Sequence, residues 1–264
     1  MNDLPLLVRA TLHLYREAAV DASRALARNA WMIVLLPAFS VLLGMIGRLA
    51  GGLGIVGGLL TYMALAAGVS AFLSILDGSV AKERVEPADL ADGFGRHLSS
   101  VVGLLFIFGV IQFLLMLIAD QNPSLRWLDL LVSAVLFLAC NPLPELVYQG
   151  RREGFALVDD AVQFMRQNSV EWLLPVVLFL LPFFLVHPMM GLVAMTKLGP
   201  SSALGLVTSL FEGVLPSGAG LAKWAAPLVA SAVLSWVMLF RGFLFKSLDR
   251  SGRRQRVFEA RMRA

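Results

Sequence analysis

Histidine, cysteine and charged residues are scarce in this sequence. The 264 residues include 3 histidines and 1 cysteine, and 15% are charged, against about 25% in soluble domains. A single cysteine, Cys140, excludes a disulfide within the chain. His13, His97 and His187 are scattered and belong to no cluster with metal-ligand spacing, and the chain has no metalloprotease or serine-hydrolase motif. We therefore predict a non-enzymatic protein with no catalytic residues, no metal site and no cofactor.

Long apolar runs occupy most of the chain. Apolar residues make up 58% of the sequence, and the mean hydropathy is +0.77. A helix needs about 20 apolar residues to cross the ~30 Å hydrocarbon core of a bilayer. The sequence predicts spans at residues 30–49, 53–76, 99–119, 127–148, 171–190 and 223–245. We expect an all-α polytopic membrane bundle of about six transmembrane helices that forms a single membrane domain over residues 1–264.

Lysine and arginine are concentrated in alternate gaps between these runs. Of the 22 basic residues, 18 lie before the first span, after the second and fourth spans, or in the last stretch from Arg241 to Arg263. Because the Lys/Arg bias of short loops sets orientation, we predict that both termini are cytoplasmic. The orientation of the protein in the membrane and attraction to anionic lipid headgroups account for the basic residues, including those of the basic cytoplasmic tail at 247–264. We therefore expect the lipid bilayer as a partner and no nucleic acid.

A polar, helix-like segment precedes each odd-numbered span. The segments are DASRALARNAWMIVLLP, ADLADGFGRHLSSVVGLL and DDAVQFMRQNSVEWLLP, and their arginines Arg28, Arg96 and Arg166 are 68 and 70 residues apart. This near-constant spacing predicts three repeats of an amphipathic elbow helix followed by a transmembrane hairpin. The predicted units cover residues 14–77, 87–148 and 155–246. The alternative is a chance regularity of six evenly spaced spans.

The elbow helices are amphipathic. In the third elbow, an apolar face is formed by Phe155, Val158, Val162 and Met165. We expect residues 87–98 and 155–168 to lie in the headgroup plane with their apolar faces buried, so that aspartate at Phe155 or Phe164 destabilises the bundle. Such elbows either steer the chain into the membrane or form a docking surface for a cytoplasmic or membrane protein partner.

Glycines cluster where the first span turns into the second. Gly47 and Gly51, and likewise Gly54 and Gly58, have the G-x-x-x-G spacing. Because glycine has no Cβ atom, this spacing predicts close packing of helix backbones at these four residues.

Few polar residues lie inside the predicted spans, where each is costly and often functional. The candidates for a polar intramembrane site are Gln112 in span three, Asn141 and Glu145 in span four, and His187 near the outer end of span five. The stretch 191–222 that follows is predicted to be either an interfacial or a re-entrant helix.

Prolines interrupt the fourth span next to Glu145. Pro142 and Pro144 free backbone carbonyls, which are able to join Asn141 and Glu145 around a cation, a proton or a basic side chain. The alternative is that Glu145 reaches the cytoplasmic interface by snorkelling or by pairing there with Arg151 or Arg152.

The units with RNAWMIVLLP and QNSVEWLLP resemble bacterial multi-pass proteins related to the YciC family and to the membrane domain fused to some glycerophosphodiester phosphodiesterases. The resemblance covers most of the chain. It implies a six-helix bacterial protein of the cell inner membrane and carries over no catalytic residues.

Two function classes fit these observations. The first is a scaffold or permease-like subunit of an envelope or transport assembly, which needs tight packing and cytoplasmic elbows. The second is a stand-alone small-molecule or lipid transporter, which needs a hydrated cavity lined by Gln112, Asn141, Glu145 and the proline-broken fifth span.

Overall fold

The computed structural model describes residues 4–81, 84–150, 154–186 and 220–250, and within these ranges it is helical without strands. The helices are α1 (Leu4–Arg28), α2 (Met32–Ala50), α3 (Gly54–Val80), α4 (Asp89–Arg96), α5 (Leu98–Gln121), α6 (Arg126–Ala139), α7 (Leu143–Gln149), α8 (Phe155–Val186) and α9 (Gly220–Arg250). One-turn 3-10 helices cover Gly51–Leu53 and Pro123–Leu125. The predicted all-α fold is confirmed for these residues. His187, most of the predicted helix at 191–222, and residues 251–264 lie outside the described residues.

Several helices have the length and composition of membrane spans. Four stretches in the described part of the chain are long and apolar enough to cross a membrane: Met32–Val80, Leu98–Gln121, Trp127–Gln149 and Ala225–Asp249. The first of them contains both α2 and α3. Large apolar side chains also point outward, among them Leu49, which is 80% exposed, and Ile55, which is 93% exposed. Long apolar helices with exposed apolar faces indicate a membrane protein.

Helices α2 and α3 form an antiparallel hairpin. Ala50 contacts Gly57 near the turn, and Phe39 contacts Gly68 further from it, so contacting residues run in opposite directions along the two helices. Gly54 begins α3 with a φ of +56°, a left-handed conformation that glycine adopts without steric strain. These contacts hold α3 against α2 along their length.

The close glycine contact of this hairpin differs from the predicted one. A Cβ atom added at Gly47, Gly51, Gly54 or Gly58 would meet nothing within 4 Å. One added at Gly57 would collide with the backbone carbonyl of Ala50. The 3-10 turn at Gly51–Leu53 changes the helical phase between α2 and α3, so that position 57 faces α2. The predicted close packing at the four G-x-x-x-G residues is therefore wrong for this hairpin, whose close backbone contact is at Gly57.

A break in regular helix precedes each of three apolar helical segments. The break between α1 and α2 begins at Asn29, α4 and α5 meet at His97, and α8 is interrupted at Asn168. His97 has φ −116° and ψ 10°, and Asn168 has the similar values −127° and 19°. The Asn29 and Asn168 amides donate to the carbonyls of Ala25 and Phe164, at 3.2 and 3.4 Å. Each amide offers a carbonyl near the break a hydrogen bond inside the apolar surroundings.

The helices before these breaks pack on the apolar helices. α4 packs on α3, where Gly93 lies against Ser74 and its carbonyl accepts a hydrogen bond from Ser70 at 3.0 Å. α8 packs on α7, and α1 packs along α9. The α1 contact uses small buried residues, Ala18, Ala22 and Ala25. Two of these helices thus contact the apolar helix that precedes them in the chain, and α1 contacts the last one.

The first half of α8 buries only part of the predicted face, because Met165 is buried and Val158 packs against the core but Phe155 does not. The buried residues are Leu157, Ala161, Phe164 and Met165, whereas Phe155 is 76% exposed. The Phe164 ring packs against the rings of Trp172 and Phe245, with centroids 5.3 and 4.7 Å apart. This aromatic contact fixes the rotation of α8 about its axis. Phe155 is therefore exposed on the described structure, whereas Phe164 is buried as expected.

Candidate functional site

A buried polar cluster joins four helical elements. Asn141 lies in the turn between α6 and α7, Glu145 is in α7, Trp172 is in α8 and Arg241 is in α9. Glu145 is fully buried, and only 12% of the Arg241 side chain is exposed. Two of the predicted site residues, Asn141 and Glu145, are therefore brought together with two residues that the sequence did not single out.

Arg241 and Glu145 form a bidentate ion pair. The guanidinium donates from Nε to Glu145 Oε1 at 2.7 Å and from Nη2 to Oε2 at 2.9 Å. Parallel N–H···O bonds of this kind are among the strongest in proteins and fix the relative orientation of both side chains. Removing two charges from water is costly, and the bidentate geometry offsets that cost only while both partners are present.

The turn before α7 supplies the remaining acceptors for the guanidinium. Helix α6 ends at Ala139, and Pro142 lacks the N–H that would continue the helical ladder. The carbonyl of Asn141 accepts from Arg241 Nη2 at 2.7 Å, and the Asn141 side-chain oxygen accepts from Nη1 at 3.0 Å. The proline-containing turn and Glu145 together enclose a basic side chain. That side chain is Arg241. Arg151 and Arg152, the partners that the sequence suggested, lie outside the described residues.

Trp172 closes the cluster from the side of α8. Its Nε1 donates to the Asn141 side-chain oxygen at 2.8 Å, so this oxygen accepts from both Trp172 and Arg241. The guanidinium carbon of Arg241 lies 4.8 Å from the centroid of the Trp172 ring, within range of a cation–π interaction. The Trp172 side chain is 1% exposed, so it serves as a buried hydrogen-bond donor.

Gly242 allows three helices to approach one another beside Arg241. A Cβ atom added at Gly242 would lie 2.5 Å from the Tyr148 hydroxyl oxygen and 2.8 Å from Val80 Cγ2. Gln149 Nε2 also donates to the Gly242 carbonyl at 3.0 Å. The ends of α3 and α7 therefore converge on α9 at a glycine, and this convergence holds Glu145 opposite Arg241.

Gln112 belongs to a different part of the molecule. Its side-chain nitrogen lies 3.4 Å from Asp129 Oδ1, at an exposed position between α5 and α6. Asp129 is in the first turn of α6, whereas Asn141 follows the end of that helix. At about 1.5 Å per residue the two levels are roughly 18 Å apart along the helix axis. The structure does not bring Gln112 to Asn141 and Glu145, and His187 lies outside the described residues.

A second polar contact anchors the junction of α4 and α5. Ser70 on α3 accepts a hydrogen bond from the backbone N–H of His97 at 3.0 Å, and the His97 Nε2 atom is buried without a hydrogen-bond partner. Burial lowers the pKa of His97; the nearby Asp77 carboxylate opposes this shift, and Arg96 adds to it. Neutral histidine is thus the form that fits this junction.

Arg241 and Trp172 are the members of the cluster that sequence reasoning missed. In the charge pattern, Arg241 counts as the first residue of the C-terminal basic stretch, but it also lies inside the predicted span 223–245. A basic residue inside an apolar run requires an acidic partner at the same depth, and Glu145 is the carboxylate that the structure places there. That depth relation is a signal in the sequence that would have indicated the pair.

The cluster contains no set of metal ligands. Across the part of the chain that the structure describes, no three His, Cys, Asp or Glu side chains are grouped so as to hold a metal ion. No protein-family model, curated protein or solved structure matches this chain. The functional argument therefore rests on the geometry of the site.

Proposed function

We propose that this protein is a non-enzymatic integral protein of the cell inner membrane that acts as a scaffold or permease-like subunit of an envelope or transport assembly. One observation carries the proposal: two of the polar residues that a transport path would need, Asn141 and Glu145, are used within a closed cluster. Both oxygens of Glu145 and both oxygens of Asn141 accept hydrogen bonds from Arg241 or Trp172. Groups satisfied in this way hold helices together and leave little affinity for a passing substrate.

The proposed architecture is a six-helix bundle made of three units, each an elbow helix followed by a hairpin. Two observations support it. The breaks at Asn29, His97 and Asn168 fall at corresponding points of the three predicted units. In addition, α4 and α8 pack on the return helix of the preceding unit, and α1 packs on that of the last unit. Contacts between one unit and the next are expected for structural repeats that pack on their neighbours.

The proposed orientation places both termini and the elbow helices on the cytoplasmic side. The ends of α3 and α9 meet where Lys246 approaches the Val80 carbonyl, with 3.4 Å between the two atoms. The elbow α4 reaches the same end of α3, where Arg96 pairs with Asp77 at 3.5 Å. Basic residues on two elements, α4 and α9, thus share one end of the bundle, as the charge bias of cytoplasmic segments requires.

The elbows are proposed to carry the docking surface for a protein partner. α4 exposes Asp89, Asp92 and Arg96, and the first half of α8 exposes Asp159, Gln163 and Arg166. Their opposite faces are buried against the bundle, which gives these helices fixed positions at its surface. Rigid helices with mixed charge outward suit recognition of a charged protein surface.

Site-specific photocrosslinking in native membranes tests this proposal. A photoreactive residue is placed at Asp92 or Gln163, with Ile55 as the control, because Ile55 is 93% exposed at the α2–α3 turn, away from the elbows. We expect discrete protein adducts from positions 92 and 163, identifiable by mass, and only lipid adducts from position 55. Absence of protein adducts at both elbow positions, in a protein that is inserted and stable, would contradict the subunit assignment.

A further inference from the structure

A charged cleft lies between α1 and α9. It has a volume of about 630 Å³, and its charged lining comes from Arg16, Glu17, Asp21 and Arg24 on α1 and Lys246 on α9. Its apolar lining is supplied by Ala18, Val20 and Phe243, and its walls are polar. The buried cluster around Arg241 contributes no residue to this cleft.

The charges that line the cleft favour an anionic ligand. The permanent cations are Arg16, Arg24 and Lys246, and the carboxylates are Glu17 and Asp21. Each carboxylate has a partner on α1 itself: His13 Nδ1 is 3.3 Å from Glu17, and Arg24 is 3.9 Å from Asp21. The pairing with Arg24 reduces the negative potential of Asp21 inside the cleft, and the three permanent cations outnumber the two carboxylates.

Arg16 and Lys246 then face the cleft from two different helices. Arg16 is exposed on α1, and Lys246 is half-buried on α9, with its Nζ atom 3.4 Å from the Val80 carbonyl oxygen. A lysine ammonium has three donors, so one contact to a carbonyl leaves others to bind an anion. Cations from two elements around a shared cleft are suited to a group with several acceptor oxygens, such as a phosphate.

The cleft also lies at the level of a membrane surface. Lys246 is near the end of the apolar stretch Ala225–Asp249. Next to the cleft, α1 exposes apolar side chains at Val8 and Leu12, which are 50% and 61% exposed. Polar helices with exposed apolar side chains lie in the headgroup region, where phosphate groups are concentrated.

We propose that the α1–α9 cleft binds a phosphate-bearing anion through Arg16 and Lys246. The two sources of this chemistry are the headgroup of an anionic lipid and a free phosphate compound. The apolar lining and the position at the end of a membrane span favour the lipid. An anion bound to both Arg16 and Lys246 would stabilise the contact between α1 and α9, the first and last described helices.

Lipid titration of the delipidated full-length protein tests the site. Phosphatidylglycerol is added in detergent, phosphatidylcholine is the neutral comparison, and bound lipid is counted by native mass spectrometry. Each cation near an anionic headgroup contributes a free energy that corresponds to about five-fold in affinity. We expect Arg16→Gln and Lys246→Gln each to weaken phosphatidylglycerol binding about five-fold, and the double variant about 25-fold.

The control variant is Arg9→Gln, on the same helix but outside the cleft, and it should retain wild-type affinity. Inorganic phosphate distinguishes the sources: competition at millimolar concentration assigns the site to a soluble phosphate compound, and no competition assigns it to a lipid. The proposal is overturned if phosphatidylcholine binds equally well, or if Arg9→Gln weakens binding as much as Arg16→Gln. Arg16 is exposed, so its variant keeps the test valid even if Lys246→Gln unfolds.

Discussion

Replacing Glu145 with glutamine would leave the Arg241 charge buried opposite a neutral amide. The glutamine keeps the shape of the side chain, but the bidentate pair at 2.7 and 2.9 Å loses its negative partner. Removing one partner of a buried ion pair costs about 3–5 kcal/mol of unfolding free energy. We expect Glu145→Gln, and likewise Arg241→Met, to destabilise the protein by this amount.

The double variant Glu145→Gln with Arg241→Met should recover most of this loss, because it leaves no unpaired charge. The carbonyl of Asn141 would still lose its donor, at a cost of about 1–3 kcal/mol. The coupling energy between positions 145 and 241 is therefore on the order of 5 kcal/mol. On the transport hypothesis, by contrast, Glu145→Gln would leave stability unchanged and abolish activity.

Equilibrium unfolding in mixed micelles of a mild detergent and dodecyl sulfate measures these free energies. Tryptophan fluorescence is a direct readout, because the Trp172 ring lies against the Arg241 guanidinium. The matched control is Arg96→Gln, which breaks an ion pair whose arginine is 59% exposed and should cost no more than about 1 kcal/mol. A loss below about 1 kcal/mol for both single variants, or additive effects in the double variant, would refute the reasoning.

Three further predictions follow from other contacts. Gly242→Ala places a methyl group against the Tyr148 hydroxyl and Val80, so we expect it to lower the free energy of unfolding by about 1–3 kcal/mol in the same assay. The control Gly44→Ala places its methyl group in open space and should cost less than about 1 kcal/mol. Phe164→Asp should destabilise by more than about 3 kcal/mol and Phe155→Asp by less than about 1 kcal/mol in detergent; equal effects would contradict the rotation of α8. Burial lowers the pKa of His97 in the folded protein, so folding favours the neutral imidazole. The resulting contribution to stability is fully present above the unfolded-state pKa near 6.5 and is lost as the pH falls from there through the lower pKa of the folded state. Thermal stability should therefore fall below about pH 6.5 in the wild type and fall less in His97→Gln, and identical profiles would exclude this role.

Local sequence patterns predicted the helices but not how they face one another. Hydropathy indicated apolar helices that the structure contains as α2, α3, α5 and α9, with ends within several residues of the predicted spans. The repeated arginines Arg28, Arg96 and Arg166 indicated where the polar segments end, and the helices break one or two residues later, at Asn29, His97 and Asn168. The rotation of α8 depends on contacts with Trp172 and Phe245, and no pattern within 155–168 contains that information.

The site was predicted in part for the same reason. Asn141 and Glu145 were visible because polar groups next to prolines are unusual in an apolar run. Their partner Arg241 is about 100 residues away along the chain, and its pairing depends on the approach of α7 to α9 at Gly242. The spacing of Gly47 and Gly51 suggested a close contact that the hairpin makes at Gly57 instead, because the turn between the helices changes the phase.

The native cysteine offers the most direct measurement of whether the cluster is closed. Cys140 precedes Asn141 and is 9% exposed, so its labelling reports on water beside the Arg241–Glu145 pair without any mutation. Membrane vesicles are treated from either side with a small, charged thiol reagent, and a cysteine introduced at exposed Asp92 serves as the positive control. A closed structural cluster predicts no labelling of Cys140 until the protein is denatured, with full labelling at position 92. Rapid labelling of Cys140 in the folded protein would reveal a hydrated path at the cluster and contradict the structural role.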